Sequence, residues 1–179
     1  MKSYSKDIYR YYGKYSENLI QRVFRPIDLK YIILFRKCQN TRIKTLKYYY
    51  KFKLRKLERK TLIQIPYNTK IGEGLYIGHF GRIIINPKSI LGKNINIATG
   101  VTIGQENRGE RKGTPQIGND VWIGSNAVIV GNVKIGNDVL IAPLTYVNFD
   151  VPNHSIVVGN PGKIIHRDNA TENYINRKV

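Results

Sequence analysis

The chain has little of the chemistry on which several protein classes depend. It contains one cysteine, Cys38, among its 179 residues, so it can form no internal disulfide and nothing indicates an oxidising compartment. Its longest apolar run near the N-terminus, residues 31–35, is far shorter than the roughly 20 residues that span a bilayer. The first residues also lack the apolar run of a signal peptide. These absences predict a cytoplasmic protein, in contact at most with the inner face of the membrane.

Acidic residues and chain breakers are scarce in the first third of the sequence. Residues 1–60 carry 18 Lys and Arg against four acidic residues, a net charge of +14, whereas residues 61–179 carry a net charge of +4. The same segment holds nine of the 13 tyrosines but only one proline and one glycine. This composition predicts helices over 16–24 and 27–60, the second interrupted near Asn40 and Thr41.

Three interpretations of the basic segment 1–60 stay open. Basic helices with aromatic residues are typical of peripheral contact with an anionic membrane surface. The same helices can instead cover the open end of a following β-structure, and these two roles are compatible. Nucleic-acid binding is disfavoured, because no nucleic-acid-binding motif accompanies the charge.

From residue 65 onward, aliphatic residues recur every six positions. The in-phase positions are Ile65, Ile71, Ile77, Ile83, Ile85, Leu91, Ile97, Ile103, Ile117, Ile123, Ile129, Ile135, Ile141 and Val147. The residue that follows is usually glycine or alanine. A period of six matches neither an amphipathic helix nor a long alternating strand. It is typical of a triangular coil in which each side is one short strand followed by a tight corner.

The sequence therefore predicts a mainly β protein, a parallel β-helix preceded by an N-terminal α-helical region. A β-sandwich is disfavoured, because its turns would vary in spacing and break the phase of the repeat. We expect a basic helical region over 1–62, the β-helix over 63–165 and a polar C-terminal tail over 166–179. The polar, glycine-punctuated stretch 105–115 interrupts the repeat and predicts an extruded loop.

Four segments resemble the hexapeptide-repeat acyltransferases: residues 70–81, 100–104, 117–124 and 151–163. The resemblance extends over about residues 63–165. It is greatest to the serine-acetyltransferase-like branch, and within that branch to O-acetyltransferases of capsule and exopolysaccharide assembly, such as the colanic-acid type. The resemblance implies a left-handed β-helix, a homotrimer and transfer of an acetyl group from acetyl-CoA to a hydroxyl.

Acetyl transfer to a hydroxyl needs a base for the hydroxyl proton, and histidine suits that role near neutral pH. His79 follows Gly78 at a predicted corner, where its ring can project outward, and the resemblance places the general base there. His154 is expected in the turn that leaves the last coil, and His166 at the surface or near CoA. Because no second histidine lies near His79 in the repeat, we expect no metal site.

The group that orients His79 is not evident from the sequence. Asn86, Glu73 and a backbone carbonyl are all candidates.

The resemblance also implies where the co-substrate acetyl-CoA would bind. The positions that match CoA-contacting places are Gly124, Ser125, Pro143, Asn148, Phe149 and Lys163. Lys163 would face the 3′-phosphate, whereas Pro143 has no N–H to donate. The loop 105–115 either contacts phosphates through its basic residues or is simply solvated.

The acceptor expected from the sequence is a sugar hydroxyl on a glycan under assembly. In the serine acetyltransferases, an aspartate and a histidine are tied to recognising the charged ends of the amino acid. Those positions fall on Gln64 and near Thr114 in this chain. Serine O-acetylation is the alternative within the same chemistry, and a non-catalytic β-helix scaffold is the alternative from another class.

Overall fold

The computed structural model describes residues 4–179, so the first three residues of the predicted helical region lie outside it. Its helices are α1 (Ser5–Tyr12), α2 (Leu19–Val23), α3 (Ile27–Asn40) and α4 (Lys44–Thr61). Short strands follow: β1 (Ile63–Gln64), β2 (Lys70–Ile71), β3 (Tyr76–Ile77), β4 (Ile83–Ile85), β5 (Ile90–Leu91), β6 (Asn96–Ile97), β7 (Thr102–Gly104), β8 (Gln116–Ile117), β9 (Val121–Ile123), β10 (Val128–Val130), β11 (Lys134–Ile135), β12 (Val139–Ile141), β13 (Tyr146–Val147), β14 (Ser155–Val158) and β15 (Lys163–His166).

The strands stack into three sheets that form the sides of a triangular coil. The first sheet has the order β1-β4-β7-β10-β13, the second β2-β5-β8-β11, and the third β3-β6-β9-β12-β14-β15. Neighbouring strands are parallel, except that β15 returns antiparallel along β14. The predicted fold class is confirmed: the chain is mainly β, a parallel β-helix of about five coils behind an N-terminal helical region.

The apolar core runs along the inside of the coils. Every in-phase aliphatic position from Ile65 to Val147 is buried, with at most 8% of its surface exposed. Glycines follow the strands of the second sheet at one corner, where successive coils approach closely. A Cβ on Gly92 would lie 2.6 Å from the carbonyl carbon of Gly118. The spacing of coils therefore excludes a side chain at this corner, which explains the glycine after each aliphatic of the second sheet.

The N-terminal helices pack against the first coil. The hydroxyl of Tyr31 lies 3.1 Å from both the amide nitrogen and the carbonyl oxygen of Ile65. Arg36 pairs with Asp7 at 2.9 Å and donates to the carbonyl of Ile71 at 2.7 Å. These buried contacts show that the helices cover the open end of the β-helix, one of the roles considered for them.

The predicted helix interruption near Asn40 and Thr41 is confirmed, since α3 ends at Asn40 and α4 begins at Lys44. Helix α1 was not predicted, and the first predicted helix, 16–24, shortens to α2. Apolar residues of α2 and its C-terminal end are exposed, among them Leu19 and Phe24. Between residues 4 and 179, no helix combines the length and the apolar character needed to cross a membrane.

The C-terminal tail folds back along the third sheet instead of extending into solvent. Asp138 holds its start, accepting hydrogen bonds from the amides of Ala170 and Thr171, each 3.0 Å long. The far end reaches Asn94, whose side-chain oxygen accepts from the amide of Val179 at 2.9 Å. The tail thus passes from the later coils back toward the N-terminal helices.

Candidate active site

A cavity of about 800 Å³ lies between α1, one corner of the β-helix and the C-terminal tail. His79 lines it, together with Ser125 two coils further along. Arg10 and Tyr11 of α1 form one wall, and residues 174–177 of the tail contribute another. The cavity therefore joins three parts of the chain that are far apart in sequence.

His79 stands at the corner between β3 and β4, and its side chain is exposed. The strand before this corner, β3, pairs in register with β6 of the next coil, and β6 pairs with β9 of the coil after that. Ile77 thus lies beside Ile97, and Ile97 beside Ile123. The residues that follow those strands therefore stack on one edge of the prism. This stacking is why Ser125 faces the same cavity as His79.

A carboxylate lies near His79, in the first turn of α3. Asp28 Oδ2 accepts a hydrogen bond of 2.8 Å from the hydroxyl of Tyr11. Burial raises the pKa of Asp28, while the Tyr11 hydrogen bond and the nearby charge of His79 act to lower it. Burial, and next the charge of Asp28, raise the pKa of Tyr11 well above its usual value. The Tyr11 hydroxyl also lies 2.8 Å from the carbonyl oxygen of Ile77, two residues before His79. Asp28 is therefore held close to the corner that carries His79.

Among the described residues, neither side chain considered from sequence as the orienting group is hydrogen-bonded to His79. Glu73 binds Lys6 at 2.7 Å, and Asn86 donates to Gln105 at 3.0 Å on another corner of the coil. No sequence signal pointed to Asp28, because it lies in the helical region, far from His79 along the chain and outside the repeat.

Arg10 is almost fully buried in the cavity wall, with 4% of its surface exposed. Its Nη2 donates to Asn96 Oδ1, and its guanidinium carbon lies 5.8 Å from the ring centre of Tyr76. Among the described residues, Nε and Nη1 have no hydrogen-bond partner. A buried cation with unused donors is unusual, since such groups are normally satisfied.

The tail forms part of the cavity wall through Tyr174, Asn176 and Arg177. The rings of Trp122 and Tyr174 meet edge to face, 5.0 Å apart, and Asn96 donates to the carbonyl of Tyr174 at 3.1 Å. Arg177 donates through Nη1 to the carbonyl of Tyr11. The tail was predicted only as a polar segment, yet it supplies part of the cavity.

The positions expected to contact CoA fall into two groups. Gly124, Ser125 and Pro143 lie on the edge that carries His79, where a Cβ on Gly124 would meet Pro143 N at 2.6 Å. The amide of Gly124 donates to Ile141, so it is committed to pairing between coils. Neither Gly124 nor Pro143 therefore offers a free backbone donor at this narrow surface.

The second group lies on the last coil. Asn148 follows β13 and is exposed, and Phe149 packs partly against the core. Lys163 begins β15, directly after Gly162, whose Cβ would lie 3.1 Å from the Phe149 ring. Phe149 and Lys163 are therefore near each other, but neither lines the His79 cavity.

The remaining candidates have structural contacts. His154 binds Asp138 through Nδ1 at 2.9 Å, and His166 is exposed near Asp168. In the loop 105–115, Arg111 pairs with Asp150 at 3.0 Å. Across residues 4–179, no group of three or more His, Cys, Asp or Glu side chains is arranged to hold a metal ion.

Comparisons with known proteins bear on the class of this site. A family model described as bacterial transferase hexapeptide (six repeats) matches residues 114–148. A serine acetyltransferase of Staphylococcus aureus is 38% identical over 108 residues, which cover 60% of this chain and 51% of that protein. The chain thus spans about half the length of this curated relative.

Solved structures extend the likeness to the helices. A serine acetyltransferase of Neisseria gonorrhoeae, solved in complex with serine, is 30% identical with a TM-score of 0.68, covering 91% of this chain and 66% of that one. A serine acetyltransferase of Brucella abortus in complex with coenzyme A has a TM-score of 0.73 at 22% identity, covering 91% and 65%. The matched repeat, the relatives and the fold together support the hexapeptide-repeat acyltransferase family for this chain.

These comparisons correct the acceptor expected from the sequence. The sugar hydroxyl, and with it the polysaccharide branch of the family, is contradicted because the relatives and structural neighbours are serine acetyltransferases. The expectation depended on the resemblance to the polysaccharide branch and on the residues at Gln64 and near Thr114. It assumed that charged groups of an acceptor can be held only at those two positions, which ignores residues brought in by α1, α3 and the tail.

Proposed function

We propose that this chain is an acetyl-CoA-dependent O-acetyltransferase that uses serine as acceptor and His79 as general base. The observation that carries the proposal is the exposed His79 ring in a cavity of about 800 Å³, shared with Ser125 and near the Asp28 carboxylate. The serine acetyltransferases of Staphylococcus aureus and Neisseria gonorrhoeae support the choice of donor and acceptor.

In the proposed reaction, a ring nitrogen of His79 takes the proton of the serine hydroxyl as the hydroxyl oxygen attacks the acetyl carbonyl. The carbon–sulfur bond then breaks, and the departing sulfur receives that proton. O-acetylserine and free CoA leave the site. Asp28 stabilises the positive charge that His79 carries between these two steps.

The transfer is direct, without an acetylated enzyme. Cys38 is fully buried, and burial raises the pKa of its thiol to about 11. The thiolate is the nucleophilic form of cysteine, so a buried thiol of this kind is inert near neutral pH. Cys38 also lies in α3 and packs into the core.

For acetyl-CoA, we propose that the arm that carries the thioester passes Gly124, Ser125 and Pro143 on the edge that holds His79. The end that carries the phosphates would then lie near Asn148, Phe149 and Lys163. The positions of the two groups along the β-helix support this path. The group of Gly124, Ser125 and Pro143 lies on the edge of His79, whereas the group of Asn148, Phe149 and Lys163 lies on the last coil. Lys163 is exposed and free to approach a phosphate.

We further propose that the chain assembles as a homotrimer, as its resemblance to the family implies. Size-exclusion chromatography with light scattering should then give about three times the chain mass of 20.6 kDa. A mass equal to that of one chain would contradict the assembly.

Peripheral membrane contact of residues 1–60 is a separate proposal. The exposed apolar residues at the end of α2, including Val23 and Phe24, support it together with the net charge of +14. Replacing both by serine should reduce sedimentation with anionic liposomes, and undiminished sedimentation would contradict the contact.

The acceptor is tested by measuring release of the CoA thiol from acetyl-CoA with the full chain. Serine should support release, whereas alanine, which keeps the amino and carboxylate groups but lacks the hydroxyl, should not. Mass spectrometry should identify O-acetylserine as the product.

Two outcomes would overturn the assignment. Turnover with hydroxyl compounds that carry no amino-acid groups, together with none for serine, would reject serine as acceptor. No binding of acetyl-CoA by calorimetry would reject the enzyme and favour a scaffold.

A further inference from the structure

Arg10 lines the cavity that holds His79, and two of its guanidinium nitrogens have no hydrogen-bond partner within residues 4–179, which the proposed function does not explain. Helix α1 carries Arg10 onto the coil after the one that carries His79, where it donates to Asn96. Asn96 pairs in register with Tyr76, three residues before His79. Two of the three guanidinium nitrogens of Arg10 are buried, without a hydrogen-bond partner in the described chain.

The acidic groups around Arg10 are bound to other residues. Asp7 pairs with Arg36 at 2.9 Å, and Asp120 accepts from Asn94 at 2.8 Å. Burial lowers the pKa of Arg10, and the charges of nearby groups, Asp120 foremost, offset this effect only in part. The guanidinium is therefore a buried cation whose neutralising partner is not supplied by its own surroundings.

An anion that enters the cavity would supply that partner. A buried guanidinium gains most from an ionised acceptor, because charge-assisted hydrogen bonds are about twice as strong as neutral ones. Leaving such donors unpaired is costly, whereas pairing them recovers the cost when the ligand binds.

Carboxylate and phosphate share this chemistry, and the position within the cavity favours carboxylate. The whole pantetheine arm separates the phosphates of acetyl-CoA from its thioester, whose carbonyl must lie at His79. An anion held in the same cavity as His79 therefore belongs to the acceptor.

We propose that Arg10 forms an anion subsite of the His79 cavity that binds the carboxylate of the acceptor amino acid. The inference rests on the proposed function for the identity of the acceptor. It also accounts for how an amino acid is held when Gln64 and Thr114 lack the charges found at those positions in the family. The carboxylate would be bound from the helical region instead of from the loop 105–115.

The kinetic test compares serine with serinamide, which keeps the hydroxyl and the amino group but lacks the carboxylate. The unmodified enzyme should prefer serine in kcat/KM by about 10- to 100-fold. Arg10→Met should lose this preference by raising KM for serine, with KM for acetyl-CoA unchanged. Arg10→Lys should keep part of the preference, since its charge remains.

A structural role for Arg10 would give another pattern. Arg10→Met would then lower kcat/KM by the same factor for serine and for serinamide. The preference for serine would survive, which would overturn the subsite. Arg42→Met is the matched control, because Arg42 is exposed between α3 and α4 and lies outside the cavity. It should leave the preference unchanged.

A binding test separates failure of the subsite from failure of the proposed function. Acetate should raise the melting temperature of the unmodified protein above that in chloride at equal ionic strength, and Arg10→Met should abolish this rise. Stabilisation by acetate without any serine turnover would keep the subsite and reject serine. Stabilisation by inorganic phosphate but not by acetate would overturn the assignment to a carboxylate.

Discussion

Tyr11 joins Asp28 to the corner that carries His79. Its hydroxyl lies 2.8 Å from Asp28 Oδ2 and 2.8 Å from the carbonyl oxygen of Ile77, and it accepts from the amide of Ile77 at 3.2 Å. One side chain of α1 therefore holds the first turn of α3 against the strand that ends two residues before His79. The link therefore holds Asp28 close to the corner that carries His79.

We predict that Asp28→Asn lowers kcat by about tenfold, less than the roughly 10²–10⁴-fold effect expected for the general base itself. The variant keeps the size of the side chain but removes the negative charge that stabilises protonated His79. KM for acetyl-CoA should not change, because Asp28 acts on His79 and is not among the residues proposed to contact CoA. Steady-state kinetics with both substrates measures the two parameters separately.

The control for Asp28 is the same substitution in a His79→Ala background. If Asp28 acts through His79, Asp28→Asn should not reduce the residual rate further there. An equal loss in both backgrounds would instead show a general structural effect. Tyr11→Phe should give an intermediate loss, because it keeps the ring but releases the hydrogen bond to Asp28.

We predict that His79→Gln lowers kcat by about 10²–10⁴-fold while leaving KM for acetyl-CoA nearly constant. Glutamine can donate and accept hydrogen bonds but cannot take up a proton near neutral pH. Calorimetric binding of acetyl-CoA should be retained, which shows that the site is intact. Unchanged turnover would reject His79 as the base.

The β-helix could be predicted from the sequence because each coil repeats the same local requirement. One aliphatic residue on each side must fill the interior, and the next residue must fit a corner, as at Ile71, Leu91 and Ile117 of the second sheet, each followed by glycine. The signal is periodic and local, so one sequence is enough to reveal it. The helix interruption near Asn40 was predictable for a similar reason, since it depends on nearby residues only.

The cavity could not be predicted in the same way. Arg10, Asp28 and Tyr174 reach the region of His79 only through tertiary packing of α1, α3 and the tail, and none belongs to a repeat. Their positions in the sequence show no periodicity, so the repeat gives no indication that they lie near His79. The predicted acceptor was wrong for this reason, because the expectation weighed only positions inside the resemblance, such as Gln64.

The attachment of the tail should depend on pH through Asp138. Burial acts to raise the pKa of this carboxyl, but hydrogen bonds from Thr171, His154 and backbone amides outweigh it and lower the pKa to about 2. The ordinary value is about 3.9. The stabilisation by Asp138 is therefore complete above about pH 4 and is lost as the pH falls toward 2.

Trp122 reports on this attachment, since it is the only tryptophan and contacts Tyr174 of the tail. We predict that its emission shifts to longer wavelength between about pH 4 and pH 2 as the tail detaches. In Asp138→Asn the shift should already be present at pH 7, with a lower melting temperature. The difference in Trp122 emission between the unmodified protein and Asp138→Asn should narrow as the pH falls. A difference that stays constant with pH would contradict the role of Asp138.

Stability should depend on which glycine corner is changed. A Cβ on Gly92 would lie 2.6 Å from the carbonyl carbon of Gly118, a backbone atom that cannot move without shifting the next coil. A Cβ on Gly78 would meet nothing closer than the Tyr76 ring at 3.5 Å, an ordinary contact. Gly92→Ala should therefore lower the free energy of unfolding by about 1–3 kcal/mol, whereas Gly78→Ala should stay close to the unmodified protein. Urea denaturation measures the free energy of unfolding of both variants. An equal decrease in the two would mean that the spacing of coils does not require glycine at residue 92.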